Sequence, residues 1–287
     1  MIREYIYSLY RHLLNLFFRF LTLVKFDFDR FNRSYLEFLI KQGILNNQLV
    51  EKFKDTSESI YFIQSVPDRY SANINLYRQK TNFLNFQNLN KWLSGNYNNN
   101  IADINRYFFL NLCIDYLIEE KVDGNVAEVG VYKGNSAFLL SKYVQSVNKT
   151  CFLFDTFESF DKRDLTGNDI NAASGAFLDT SLETVKILVG EKNTVYVKGY
   201  FPESLNQVEE ITDLALVHVD CDLERPVLSA LEYFYPRIKS GGFLIMHDHS
   251  SFFWPGAENA INSFFKDKRE HIIPVPDKSG TCVIRKI

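Results

Sequence analysis

The chain has 287 residues, of which 46% are hydrophobic and 23% charged, the composition of a globular protein and not of a disordered one. Its 32 Lys and Arg against 35 Asp and Glu leave a formal net charge of −3, so the overall basic field that general nucleic-acid binding requires is missing. The four cysteines, Cys113, Cys151, Cys221 and Cys282, form no C-x-x-C pair, which argues against a zinc knuckle or a disulfide framework and fits a reducing cytoplasm.

In chain order, the first expected element is an amphipathic helix over residues 1–24. Ile2, Ile6, Leu9, Leu13, Leu16, Phe17, Phe20, Leu21 and Val24 follow helical spacing, and Arg3, Arg11, Arg19 and Lys25 make the segment basic. Asn15, Arg19 and Thr22 interrupt it, so it falls short of the roughly 18 uninterrupted apolar residues of a membrane span. It reads as a helix packed on the protein body or on a partner subunit. The other reading is an interfacial helix, a peripheral contact of residues 1–25 with the inner face of an anionic membrane. Only Gly43 and Gly95 of the 13 glycines precede residue 124. The stretch 1–100 therefore reads as a helical extension, with short helices over 31–42 and 45–54 and a polar loop at Asn96–Asn100. Residues 101–287 form the second expected domain, beginning with a helix over 104–120.

Beyond residue 124, short β-type runs alternate with helical stretches. Strands are expected at 125–131, 151–157, 194–198, 214–220 and 243–247, and helices at 135–147, 181–188, 226–239 and 257–268. The runs 271–275 and 281–286 flank Asp277-Lys278-Ser279-Gly280 and predict a closing hairpin. Such alternation implies βαβ units, a mostly parallel sheet and right-handed crossovers, with an antiparallel hairpin at its end.

Ligands of open α/β sheets bind at the carboxyl ends of strands. The first such turn reads Glu128-Val-Gly130-Val-Tyr132-Lys133-Gly134-Asn135-Ser136. Gly130 and Gly134 allow a tight bend, and the helix start beyond them offers free N–H groups. An acid two residues before the first glycine would repel a pyrophosphate but accept hydrogen bonds from an ammonium. A zwitterionic nucleoside with an amino-acid tail fits, which points to S-adenosylmethionine (SAM). Asp155 ends the second strand, ahead of Thr156 and Phe157, where a carboxylate can accept both ribose hydroxyls.

Asp220 and Asp248 end the fourth and fifth strands, which are adjacent in the usual order of such sheets. Two desolvated carboxylates that close repel unless a proton or a cation lies between them. A divalent metal held by Asp220, Asp248 and His247 is the expected solution, Mg²⁺ on oxygen donors or Mn²⁺ with the imidazole. His218 and His249 flank these acids and, with Asp220, are the candidates for moving the acceptor's proton.

Taken together, Ala127-Glu-Val-Gly-Val-Tyr-Lys-Gly134, Phe154-Asp-Thr-Phe-Glu158, Gly199-Tyr-Phe-Pro202, Val219-Asp-Cys-Asp-Leu223, Ala230-Leu-Glu-Tyr-Phe-Tyr-Pro236 and Gly241-Gly-Phe-Leu-Ile-Met-His-Asp248 resemble the macrocin O-methyltransferase family, class I SAM-dependent enzymes of sugar and antibiotic biosynthesis. The resemblance covers roughly residues 104–287. It implies an α/β, Rossmann-like seven-stranded class I methyltransferase sheet with a terminal antiparallel hairpin, here preceded by the helical extension. It also implies SAM as methyl donor, Mg²⁺ assistance and a sugar hydroxyl as acceptor. The cofactor contacts expected are Glu128, Gly130, Tyr132, Lys133, Gly134, Ser136, Asp155, Thr156, Phe157, Gly199 and Tyr200. The family tends to carry a second Asp where His247 stands, and Tyr-Glu where Glu224-Arg225 stands; Arg225 places a positive charge at the entrance. The segment 161–180 is expected to be a lid. The functional expectation is a cytoplasmic, metal-assisted O-methyltransferase of a polar, sugar-containing small molecule, assembled as a homo-oligomer. The alternatives are the same fold acting on a catechol, carboxylate or amine, or a non-catalytic SAM-binding scaffold that docks to a membrane or partner.

Overall fold

Valine, isoleucine, leucine and phenylalanine fill the strands without alternation, as parallel strands covered on both faces require. The computed structural model describes Phe83 and residues 85–287 except Ala173, Ser174 and Phe252. The helices expected over 1–24, 31–42 and 45–54, and the membrane or partner contact of 1–25, lie outside the described residues. In chain order the elements are α1 (Phe86–Gly95), α2 (Tyr97–Ala102), α3 (Ile104–Glu119), β1 (Asn125–Val129), α4 (Asn135–Val147), β2 (Cys151–Asp155), α5 (Leu182–Val189), β3 (Thr194–Lys198), β4 (Leu214–Val219), α6 (Glu224–Phe234), β5 (Ile238–Met246), α7 (Pro255–Phe265), β6 (Ile273–Pro274) and β7 (Cys282–Arg285). All belong to one compact unit, Asn75–Ile287.

The seven strands pair in the order β3-β2-β1-β4-β5-β7-β6. The first five are mutually parallel, while β7 runs antiparallel to both β5 and β6. This is the expected Rossmann-like sheet with its closing hairpin. The chain starts in the middle of the sheet, winds outward through β2 and β3, then returns to add β4 beside β1. The reversal puts α6 and α7 on the face opposite α4. Ala127, Val129, Phe154 and Val217 pack with Leu231, Phe234, Ala257 and Ile261 in one buried cluster under α6 and α7. Phe154, Phe201 and Phe234 meet there with ring centroids 5.5 to 5.9 Å apart.

Helix α4 begins where the sequence indicates because Gly134, at φ +84°, turns the chain into it. Val185 and Val189 of α5 approach within 3.0 Å of the place a Cβ would occupy. Helix α5 opens with a Ser181–Thr184 capping box. The polar stretch 96–100, expected as a loop, is instead the greater part of α2. Asn100 is buried, with its side-chain amide donating to the Trp92 carbonyl, so tertiary contact overrides its turn preference. Helix α6 is shorter than expected, ending at Phe234. A 3₁₀ turn at Tyr235–Arg237 carries the chain into β5, which starts at Ile238 and not at Phe243. Among the described residues, no helix is long and apolar enough to cross a membrane.

Candidate active site

Every parallel strand ends at the same edge, and the ladder continues one residue past several ends. The Gly130 amide donates to the Phe154 carbonyl (2.9 Å), Asp220 to Val129 (2.8 Å), Gly199 to Asp155 (2.9 Å) and His247 to Val219 (2.9 Å). These bonds bring the post-strand segments into one cleft. Gly130 and Tyr132 follow β1; Asp155 ends β2, and Thr156 and Glu158 follow it; Gly199, Tyr200 and Phe201 follow β3; Asp220 to Leu223 follow β4; His247 and Asp248 follow β5. Asp103 and Arg106, at the start of α3, and Lys278 and Ser279, in the hairpin turn, close one side. Phe160, Phe177 and Trp254 wall another, with centroids 5.2 to 6.1 Å apart.

Gly130 is where the turn admits no side chain. Its φ is +87°, and an added Cβ would lie 1.9 Å from the Asp220 carbonyl oxygen. The strand stops at Val129, two residues before the sequence expectation, because Asp155 captures the next amides. Its Oδ2 accepts from Val131 (2.7 Å) and Tyr132 (2.9 Å), and its Oδ1 from Phe157 (2.6 Å). Asp155 is therefore a clip between two turns as well as a carboxylate facing the cleft. Of the expected cofactor contacts, Gly130, Tyr132, Asp155, Thr156, Gly199 and Tyr200 line the cleft.

The other five do not. Lys133 reaches Asp179 (2.5 Å), and Tyr132 OH donates to the same carboxylate (2.6 Å), so both tie down the segment 161–180. Gly134 and Ser136 shape the start of α4, and Phe157 is buried at φ +51°. Glu128 is fully buried. Register explains its fate: Glu128 pairs with His218 across β1 and β4, and Oε1 accepts from His218 Nδ1 at 2.8 Å. Glu128, expected at an ammonium, and His218, expected as a proton carrier, are thus fully buried beside each other, and neither is among the residues that line the cleft. His249, the other expected proton carrier, is also not among the cleft-lining residues. The left-handed backbone at Asp248 (φ +60°) swings it toward Asn262 of α7, with Nε2 at 3.0 Å from Oδ1.

The three side chains expected around a metal do converge. The ligating atoms of Asp220, His247 and Asp248 lie within 4.8 Å of one another. Three residues outside the expected metal-binding and proton-carrying sets bear on the charge there. Arg106 forms an ion pair with Asp220 Oδ2 and lies 3.3 Å from His218 Nε2. Asp103 holds the hairpin turn through the Lys278 amide (3.0 Å). Asp222 faces the cleft at φ +64°. Burial, then repulsion from the Asp248 and Asp220 carboxylates, pushes the Asp222 carboxyl well above the ordinary range. Burial works the same way on Asp220, but Arg106 and His247 outweigh it and hold Asp220 well below that range. Burial and the nearby Arg106 oppose the charge on His247, yet Asp220 and Asp248 raise it to about 10.

This donor set fits a hard divalent cation poorly. Mg²⁺ favours oxygen ligands. His247 Nδ1 stands 2.7 Å from Asp220 Oδ1 and 2.8 Å from Asp248 Oδ2, hydrogen-bond distances to two acceptors. To take a metal on Asp220 Oδ1, His247 would have to turn its N–H off both carboxylates, and the ion would lie beside the Arg106 guanidinium held on Oδ2.

Comparison with known proteins adds a family. The Macrocin-O-methyltransferase (TylF) family model matches residues 32–285. The chain is 24% identical over 154 residues to the 8-demethyl-8-(2,3-dimethoxy-alpha-L-rhamnosyl)-tetracenomycin-C 4'-O-methyltransferase of Streptomyces olivaceus, covering 49% of this chain and 59% of that protein. It is 22% identical over 170 residues to the mycinamicin III 3''-O-methyltransferase of Micromonospora griseorubida, covering 54% and 65%. The matches thus span less than two thirds of these relatives' length. Among solved structures, the O-methyltransferase NovP shares the fold with a TM-score of 0.58 at 20% identity, over 65% of this chain and 81% of that one.

Proposed function

This chain belongs to the macrocin-O-methyltransferase family, and from that premise we propose that it is a SAM-dependent O-methyltransferase acting on a hydroxyl of a sugar or other polar, glycosylated small molecule. The observation that carries the reading is the shared cleft, in which the Gly130 turn, the carboxylates after β2 and the acids after β4 and β5 meet at adjacent strand ends. The relatives named above are both O-methyltransferases by name, and the first name carries a rhamnosyl group, which supports the acceptor class.

The donor set suits SAM. Asp155 and Glu158 offer carboxylate oxygens to ribose hydroxyls, and Phe201, Leu223 and Pro226 offer apolar surface to a base. Bound there, SAM supplies an electrophilic methyl group on a sulfonium; its transfer to an acceptor oxygen breaks the carbon–sulfur bond and leaves S-adenosylhomocysteine and one proton. The chain's own work is to align the acceptor and take that proton. Asp222, a carboxyl that lines the cleft just after β4, is assigned the role of base, receiving the hydroxyl proton on its ionised carboxylate oxygen. The Glu128–His218 pair, behind the cleft, fixes the ends of β1 and β4 against each other.

Incubation of the full chain with methyl-labelled SAM and a panel of deoxysugar glycosides, catechols, carboxylic acids and amines tests this. The expected products are an O-methylated sugar and an equal amount of S-adenosylhomocysteine. Label on catechol, carboxylate or amine alone would overturn the acceptor class, and failure to bind or consume SAM would overturn the whole reading.

A further inference from the structure

Asp220 and Asp248 stand at the ends of neighbouring strands, and carboxylates so placed call for positive charge between them. Here the chain fills that need itself. Arg106 comes from the first turn of α3, a helix outside the sheet, and its guanidinium is ion-paired to one oxygen of Asp220. Its side chain is only 16% exposed, and a guanidinium keeps its charge at any pH of interest. The other oxygen of Asp220 and one oxygen of Asp248 are both within hydrogen-bond distance of a single atom, His247 Nδ1, at 2.7 and 2.8 Å. A carboxylate can only accept, so that nitrogen carries the hydrogen. A divalent ion bridging the two acids would have to sit where this N–H points. It would also lie beside a buried guanidinium, whose repulsion is strong in a poorly solvated site.

We propose that the Asp220–Asp248 pair takes no divalent cation, because Arg106 supplies the fixed positive charge against Asp220 and the His247 N–H bridges the two carboxylates in the ion's place. Arg106 is then a positioning residue. It holds Asp220 ionised and aimed, and it couples α3 to the strand ends. The consequence for catalysis rests on the methyltransferase reading above, but cation exclusion is a property of the folded chain and is measured without turnover.

The test is a titration of Mn²⁺ with the full chain, followed by room-temperature electron paramagnetic resonance, in which the free ion gives a six-line signal that binding broadens away. The wild-type chain is expected to leave the signal at full amplitude. An Arg106→Gln/His247→Asp double variant, which removes the guanidinium and restores an oxygen donor, is expected to deplete it in proportion to protein. Should the double variant not fold, the single variants Arg106→Gln and His247→Asp divide the two contributions, and at least one of them is expected to deplete the signal measurably. Stoichiometric loss of signal with the wild-type chain would overturn the proposal. Folded variants that leave the signal as untouched as the wild type does would overturn the assignment of the exclusion to these two residues. Calorimetry with S-adenosylhomocysteine on the same preparations separates the two readings. Missing heat there removes the methyltransferase reading, while the Mn²⁺ result alone decides the cation proposal.

Discussion

Replacing His218 with alanine distinguishes a buried support from a proton carrier. His218 and Glu128 are both fully shielded from solvent and joined at 2.8 Å in register across β1 and β4. The second carboxylate oxygen of Glu128 already has no partner. Deleting the imidazole leaves an uncompensated buried acid, and breaking such a pair costs about 3–5 kcal/mol. That is a large part of the roughly 5–15 kcal/mol that stabilises a typical domain. For a domain of this size each kcal/mol moves Tm by roughly 2–4 °C, so the expected fall is about 6–20 °C. Thermal unfolding by circular dichroism measures it, with methyl transfer assayed well below the transition. Replacing the pair together, His218→Leu with Glu128→Met, removes both the acid and its need for a partner. Most of the loss should then be recovered, since apolar groups of similar volume replace buried pairs at little cost. An unchanged Tm for His218→Ala, with turnover down by about 10²–10⁴-fold, would refute this reasoning and restore His218 as a general base.

Three further outcomes follow from the geometry. Gly130→Ala should weaken SAM binding at least about tenfold by calorimetry, because αL strain of roughly 1–2 kcal/mol adds to a Cβ clash with the Asp220 carbonyl. Asp222→Asn should lower methyl transfer by about 10²–10⁴-fold while SAM affinity stays unchanged, as removal of a base requires. Burial alone would raise the carboxyl of Glu270, but hydrogen bonds from Lys286, Tyr235 and the Ile287 amide lower it from 4.5 to about 2. A depressed acid stabilises the fold above its ordinary value, and that contribution disappears as pH falls through the folded one. Acid unfolding followed by tryptophan fluorescence should therefore show a loss between pH 4.5 and about 2 that Glu270→Gln lacks.

Local signals made much of the fold legible. Helix α4 and strand β3 begin and end where the sequence places them, since Gly134 and Asn148 adopt left-handed backbone at the two ends of α4. Strands β1 and β2 end early because Asp155 recruits backbone amides that the pattern assigns to further strand. The convergence of Asp220, His247 and Asp248 follows from strand order, which is the usual order of such sheets. What escaped depends on distance in sequence. Arg106 reaches Asp220 across 114 residues, through the docking of a helix that no local pattern specifies. The burial of Glu128 was latent in the period of the strands. Glu128 and His218 both precede the last residue of their strands, and parallel pairing at equal offsets from the ends sets them side by side. His249 follows Asp248, whose left-handed turn breaks the alternation by which a strand would have aimed it.

The most direct test is where a nucleoside binds. A crystal structure of the full chain with S-adenosylhomocysteine should place the ligand along the Gly130–Tyr132 turn, with its ribose against Asp155 and Glu158 and its sulfur directed toward Asp222. A ligand bound elsewhere, or a cleft that stays vacant at saturating concentration, would contradict it.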